Sequence, residues 1–245
     1  MNFVIDVGNT LTKTSLFKNK KLIKKTVCKS DNLDEVTALL SLYSGLKAGI
    51  FSSVSNRYKK INKKLISEIP FFIDFSSETP VPLKNAYQTP KTLGKDRLAA
   101  VCGAKYLFPE NDVLVIDAGT AITIDFIDKK GVYQGGIISP GLNMRFKALH
   151  SFTKRLPLIS PSDESVLTGN TTESSIRAGV QNSCVFEMNE YVARFKRKHN
   201  CLITIITGGD AVFFEKKLKN PIFADSDLVL KGLNFILDYN LKLKN

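Results

Sequence analysis

Phe3-Val4-Ile5-Asp6-Val7-Gly8-Asn9-Thr10 and Val113-Leu114-Val115-Ile116-Asp117-Ala118-Gly119-Thr120 are two copies of one pattern: an apolar run, a carboxylate, a glycine and a threonine. Each apolar run reads as a buried strand, and the Asp-x-Gly as the bend that follows it. A carboxylate at a strand end can hold a hydrated Mg²⁺, glycine lets backbone N–H groups approach phosphate, and a threonine hydroxyl adds a donor. One Asp-x-Gly by itself is an ordinary tight turn. Two in matching contexts point to a repeated phosphate-gripping unit.

The order of elements repeats as well. Strands are expected at 2–7, 13–18 and 21–28, then a helix at 34–43, a strand at 47–51, a helix at 57–69, a strand at 71–75 and a helix at 96–107. The second half opens with strands at 112–117, 121–127 and 131–139, helices at 143–152 and 171–199, and a strand at 202–206. A helix after Gly208-Gly209, a short strand at 222–223 and a helix at 228–243 complete it. Three meandering strands followed by alternating helices and strands, occurring twice, indicate a duplicated mixed α/β unit. The expected lobes are 1–109 and 110–245, divided near Pro109-Glu110-Asn111.

With 245 residues, 43% of them hydrophobic, the chain can fill two small cores. Asp6 interrupts the first apolar run, so no signal peptide or membrane span is expected, and a cytoplasmic location follows as the default. Cys28, Cys102, Cys184 and Cys201 show no metal-binding spacing, and His150 and His199 lie near no cysteine cluster, so a zinc site or a nucleophilic triad is hard to build. The net charge of +12 comes from lysines dispersed over turns and helix faces. That favours a solvated basic surface, attractive to anionic substrates, over nucleic-acid binding.

In 171–199, Ile176, Val180, Cys184, Met188, Tyr191 and Phe195 form one stripe, and Val185 and Val192 a second apolar side. A helix apolar over so wide an arc calls for two partners, and a homodimer is expected to supply one of them. Further upstream, Gly94-Lys95-Asp96-Arg97 places a carboxylate and a guanidinium just after a glycine at a helix start, which suits an anion beside a general base. An Asp near an N-cap with an Arg in a surface pair reads equally well.

Asp6-Val7-Gly8-Asn9-Thr10, Gly94-Lys95-Asp96-Arg97, Asp117-Ala118-Gly119-Thr120, Gly169-Asn170-Thr171-Thr172 and Thr207-Gly208-Gly209-Asp210 occur in the order and spacing of the type III pantothenate kinases, which the chain resembles over nearly its whole length. The resemblance implies a duplicated ribonuclease H-like fold of the acetate and sugar kinase, Hsp70 and actin superfamily. It also implies ATP-dependent phosphorylation of pantothenate to 4′-phosphopantothenate, the first committed step of coenzyme A synthesis. Residues Asp6, Val7, Gly8, Asn9, Thr10, Leu11, Thr12 and Lys13 would hold ATP phosphates, with Asp6 near Mg²⁺ through water, and Thr120 would contact ATP from the second turn. Asp117 would ligate K⁺ or NH₄⁺. Tyr87, Gly94, Lys95, Asp96, Arg97 and Thr172 would line the pantothenate site, with Asp96 as the base.

Thr172 opens the long helix assigned to the dimer interface, so the resemblance implies an active site completed by the neighbouring subunit; an N-cap role fits Thr171 equally well. Gly208-Gly209-Asp210 reads either as an adenosine-side turn or as a plain strand-to-helix turn, and the segment from Gly135 to Gly141 either as a border of the substrate cleft or as a loop. Retention of Asp96, Arg97, Tyr87 and Thr172 together weighs against a catalytically inactive nucleotide-binding regulator of the same fold. An actin-like filament protein is disfavoured because the length leaves little room for inserted subdomains.

Overall fold

The computed structural model describes residues 1–30, 45–53, 67–164, 166–219 and 222–244. The helix expected at 34–43 lies outside these residues, as does 57–66 of the helix expected at 57–69; Ser67 and Glu68 are helical. The first sheet contains β1 (Asn2–Val7), β2 (Leu11–Lys18), β3 (Lys21–Lys29), β4 (Ala48–Ser53) and β5 (Phe71–Asp74) in the order β3-β2-β1-β4-β5. Asn19 and Lys20 both adopt positive φ between β2 and β3. A two-residue hairpin loop of that kind matches the strand twist.

After β6 (Lys84–Asn85) and α1 (Lys95–Leu107), the second set comprises β7 (Val113–Ala118), β8 (Ala121–Ile127), β9 (Val132–Pro140), α2 (Leu142–Phe152), α3 (Thr172–Lys198), β10 (Ile203–Thr207), α4 (Ala211–Glu215), β11 (Phe223–Ala224) and α5 (Leu228–Lys244). Its strands run β9-β8-β7-β10-β11, the order of the first sheet repeated, with the short β6 beside Val132 and Tyr133 at the start of β9. In both sets the first two strands are antiparallel and the first and fourth parallel. This is the duplicated α/β architecture with two mixed sheets that the sequence pattern leads one to expect.

Two compact units divide the chain differently from the expected consecutive lobes. Residues 1–109, 131–133 and 227–245 form one, and 110–130 with 134–226 the other. The terminal helix α5 therefore belongs with the N-terminal strands, and the packing gives the reason. Leu230, Leu233, Ile236 and Leu237 are fully buried. A β-carbon on Gly232 would stand 1.8 Å from the Ala99 carbonyl oxygen, and one on Gly103 would stand 2.3 Å from that of Leu228, so α1 and α5 meet backbone to backbone. Asn2 donates to Asn234 and Asp238 of α5, at 2.8 and 2.7 Å, and Lys25 pairs with Asp227 at 2.6 Å. Helix α1 is buried continuously from Arg97 to Ala104.

In the second unit, Ile176, Val180, Cys184, Met188 and Val192 of α3 are buried in one core with Leu114, Ile116, Ile122, Ile124 and Phe146, while Val185, Tyr191 and Phe195 pack at its margin. The second apolar side expected of this helix is thus absorbed by its own unit. Cys28, Cys102 and Cys184 are buried free thiols and Cys201 is exposed; burial raises the thiol pKa of Cys102, and that of Cys184 to about 11, so these two serve as apolar filling.

At the far end of α3, the Lys129 N–H donates to Asp112 at 2.7 Å and His199 Nδ1 lies 2.9 Å from the other carboxylate oxygen. Burial works to raise the Asp112 carboxyl, but these two partners outweigh it and hold the group below its ordinary value. A carboxyl lowered in the folded state stabilises the fold above its unfolded pKa and loses that contribution as pH falls through the folded value. Asp112→Asn is expected to lower stability by about 1 kcal/mol near neutral pH and to match the parent in strong acid, where both side chains are uncharged. Thermal melts across the acid range check this, and a gap that persisted in acid would refute it.

Candidate active site

Each sheet presents the same construction at the carboxyl end of its first strand. In the first unit the Gly8 N–H donates to the Leu11 carbonyl at 3.0 Å, closing the turn after Asp6 and Val7. In the second, the Gly119 N–H donates to the Ala121 carbonyl at 3.0 Å, closing the turn after Asp117 and Ala118. The residue that follows the third strand then braces the turn in both units. The Ser30 N–H donates to the Thr10 carbonyl and the Gly141 N–H to the Thr120 carbonyl, each at 3.1 Å. Even the parallel neighbours correspond, since Asp6 lies level with Ser52 and Asp117 with Thr207.

The first turn leaves Asn9 and Thr10 exposed. Val7 and Thr12 are fully buried, with Val7 in the core and the Thr12 hydroxyl 3.4 Å from that of Ser30. Of the segment from Asp6 to Lys13, these two can therefore offer a phosphate their backbone only. Lys13 lies opposite Asp6 across the β1–β2 pair, so both side chains leave the same face of the sheet.

In the same unit, Gly94 caps the N-terminus of α1, and a β-carbon there would stand 2.5 Å from Asp96 Oδ1. The Asp96 carboxylate accepts the Arg97 N–H at 2.8 Å, which fixes its plane at the helix start. Arg97 is only 5% exposed, and its guanidinium lies 5.6 Å from the centre of the Tyr87 ring. Tyr87 in turn stacks on the fully buried Tyr133, with centroids 6.1 Å apart and rings 16° from parallel. The structure thus brings Tyr87, Gly94, Asp96 and Arg97 together, with Tyr133, a residue without any sequence signal, stacked on Tyr87.

The second turn is enclosed by two glycines. Gly208 has φ +98°, and a β-carbon on it would stand 2.4 Å from the Ala118 carbonyl oxygen and 2.5 Å from Asp117 Oδ1. A β-carbon on Gly141 would stand 2.2 and 2.3 Å from the carbonyl oxygens of Gly119 and Thr120. The Asp210 N–H donates to the Ala118 carbonyl at 2.8 Å, and burial raises the Asp210 carboxyl above its ordinary value. Of the two segments that sequence reading left open, 208–210 and 135–141, Gly208, Asp210 and Gly141 therefore lie against the turn of Asp117 and Thr120, while Gly136 lies against Ile124 and Asp125. Such a cradle of carboxylate and backbone oxygens suits a weakly hydrated cation.

Thr172 lies elsewhere in that unit. It is exposed as the first residue of α3, capped by Thr171, whose hydroxyl accepts the Ser174 N–H at 3.1 Å. The capping role thus falls to Thr171 and leaves Thr172 to a cavity of about 1000 Å³ lined by Arg145, Leu149, Leu156, Asn170, Thr172 and Ser183 among others. Asp117 and Thr120 are not among its lining residues. Among the described residues, no group of three or more His, Cys, Asp or Glu side chains could hold a metal, and no helix is long and apolar enough to cross a membrane.

The family model of type III pantothenate kinase matches residues 2–194. A type III pantothenate kinase of Phocaeicola vulgatus is 49% identical over 244 residues, which cover 99% of this chain and 100% of the relative. The chain belongs to the type III pantothenate kinase family. Among solved structures, one described as a Baf family transcriptional activator from Campylobacter jejuni matches with TM-score 0.65 and 22% identity, covering 98% of this chain and 99% of that one. A second, described as an N-acetylmannosamine kinase from Listeria monocytogenes, matches with TM-score 0.58 and 13% identity, covering 100% of this chain and 99% of that one. These likenesses show that this type III pantothenate kinase shares its fold with those proteins, a sugar kinase among them.

The glycine contacts supply an internal control. Gly208→Ala is expected to cost about 1–3 kcal/mol of stability by overpacking and positive-φ strain. Gly209→Ala meets nothing within 4 Å and should behave as the parent. Equal melting temperatures for the two variants would show that the turn is not pinned as described.

Proposed function

We infer that this kinase transfers a phosphoryl group from ATP to the primary hydroxyl of pantothenate, giving 4′-phosphopantothenate in coenzyme A synthesis. The observation that carries the reading is the likeness to named pantothenate kinases over nearly the whole chain, in which Asp96, Arg97 and Tyr87 form one cluster. No observation favours an inactive regulator.

Phosphoryl transfer asks mainly for positioning, charge compensation and an oriented nucleophile. The Gly8 N–H closes the turn onto Leu11, which leaves the backbone N–H groups of Asn9 and Thr10 to cradle ATP phosphates, and Lys13 adds a positive charge on the face of Asp6. Mg²⁺ keeps most of its water and needs few protein ligands, so the Asp6 carboxylate at the strand end would hold it through water. When bound, Mg²⁺ neutralises charge that develops on the phosphates. Thr120 contacts ATP from the second turn, and Asp117, backed by Gly208, holds K⁺ or NH₄⁺.

Arg97, buried against Tyr87, and the N–H groups at the start of α1 bind the anionic substrate beside Gly94 and Lys95. Asp96 takes the proton of the attacking hydroxyl. Thr172 completes the pantothenate pocket of a neighbouring subunit in a homodimer. Met144 and Phe152 on α2 and Phe186 on α3 expose large apolar side chains that suit such an interface. The reading places the enzyme in the cytoplasm, with no nucleic-acid or membrane partner.

An assay with ATP, Mg²⁺ and pantothenate is expected to yield phosphorylated product in K⁺ and far less in Na⁺. No product in either salt would overturn the reading. Asp96→Asn is expected to lower kcat by roughly 10²- to 10⁴-fold with an unchanged melting temperature, and near-normal turnover would remove Asp96 as the base. Asp117→Ala is expected to weaken activation by K⁺, and an unchanged K⁺ dependence would reject the cation site.

A further inference from the structure

The two turns are braced by equivalent hydrogen bonds but not by equivalent side chains. In the first unit the brace carries its own anchor, since Ser30 donates its hydroxyl to the Gly8 carbonyl at 2.8 Å while its N–H holds Thr10. In the second unit the corresponding residue is Gly141, and the carbonyl oxygens of Gly119 and Thr120 leave no space for any side chain there. The segment Ser139-Pro140-Gly141 must be held from outside the turn.

Arg145, one turn into α2, does this. Its backbone N–H donates to the Gly141 carbonyl at 3.1 Å, its Nε to the Pro140 carbonyl at 2.8 Å and one terminal nitrogen to the Ser139 hydroxyl at 2.8 Å. The same terminal nitrogen pairs with Glu187, and the other donates to the Ser183 hydroxyl at 3.2 Å, both on α3. Four of the five guanidinium N–H groups are therefore engaged, and a carboxylate already balances the charge. Arg145 also borders the cavity of Thr172, yet a guanidinium so committed is a poor receptor for a substrate anion.

We propose that Arg145 is a positioning residue for the nucleotide and cation turn, fixing Gly119 and Thr120 through Ser139, Pro140 and Gly141 and tying that turn to helix α3. The proposal rests on the reading that Thr120 meets ATP and Asp117 the monovalent cation. The planar fork of arginine is what allows one side chain to hold two strap residues and two residues of a second helix at once, so lysine is not an equivalent.

Steady-state kinetics of Arg145→Met, Arg145→Lys, Ser139→Ala and Thr120→Ala, with melting temperatures, test this. Arg145→Met is expected to raise KM for ATP and the K⁺ concentration for half-activation by roughly 10- to 100-fold, the span for residues that orient a ligating group, and to leave KM for pantothenate unchanged. Arg145→Lys should lie between it and the parent, and Ser139→Ala, which loses one bond of the strap, should shift the same two constants by less. If Arg145→Met does not fold, the milder two variants decide. A rise in KM for pantothenate without one for ATP would make Arg145 a substrate ligand and overturn the proposal. So would lowered melting temperatures with both KM values intact. Thr120→Ala separates the layers: if it leaves KM for ATP unchanged, the reading of the turn fails and takes the proposal with it. If it raises KM for ATP while Arg145→Lys and Ser139→Ala do not, the proposal alone fails.

Discussion

The second turn depends on backbone meeting backbone with no room for a methyl group between. Gly141 lies against the carbonyls of Gly119 and Thr120, and Gly208 against the carbonyl of Ala118 and the carboxylate of Asp117. Three segments distant in sequence, after β7, after β9 and after β10, are thereby fixed together, and the turn geometry is set by contacts that tolerate no side chain. Interiors packed at crystal density transmit such constraints rather than absorbing them. The placement of Asp117 and Thr120 follows from this arrangement, as does the need for Arg145 to carry the strap.

Much of this was legible in the sequence because the duplication is local. Apolar runs of three and four residues ending in Asp-x-Gly announce β1 and β7, and the hairpins that follow are short enough for turn chemistry to set them. The terminal helix was not legible in the same way. Its leucines declare an apolar face but not which core receives it, and the deciding contacts, Gly232 on Ala99 and Asn2 on Asn234, join residues more than 100 positions apart. Val185 and Val192 misled for a related reason, since a wide apolar arc can be filled by one curved core as well as by two partners.

The candidate site shows the same division. Gly94, Asp96 and Arg97 were readable because they are contiguous at a helix start, and Tyr87 entered through resemblance. Tyr133, which stacks under Tyr87, sits in a strand outside every motif, and Arg145 looks like any helix-surface cation until its four hydrogen bonds are seen. Glycines were found as positions, but only the structure distinguishes Gly208, where a β-carbon collides with Asp117, from Gly209, where it meets open space. The charge pattern behaves as composition suggests. Lys21, Lys24, Lys25 and Lys29 line the edge strand β3, a placement that discourages strand addition from another molecule.

The duplicated turns also show how one backbone can serve two electrostatic tasks. Asp6 and Asp117 occupy equivalent positions, level with a buried hydroxyl residue on the parallel strand, Ser52 or Thr207, and followed by the same glycine-closed bend. They differ in the antiparallel neighbour, which is Lys13 for Asp6 and Thr123 for Asp117. A lysine on the same face offsets the carboxylate locally and adds a donor for phosphate oxygens, which suits a site that must accept a polyanion with its hydrated divalent ion. Thr123 brings no charge of its own across the hairpin to Asp117, which on the proposed assignment suits a monovalent cation that meets a carboxylate without a lysine opposite it. On the proposed assignment, then, the two roles differ at the residue across the hairpin, while the carboxylate and the backbone that carries it are alike.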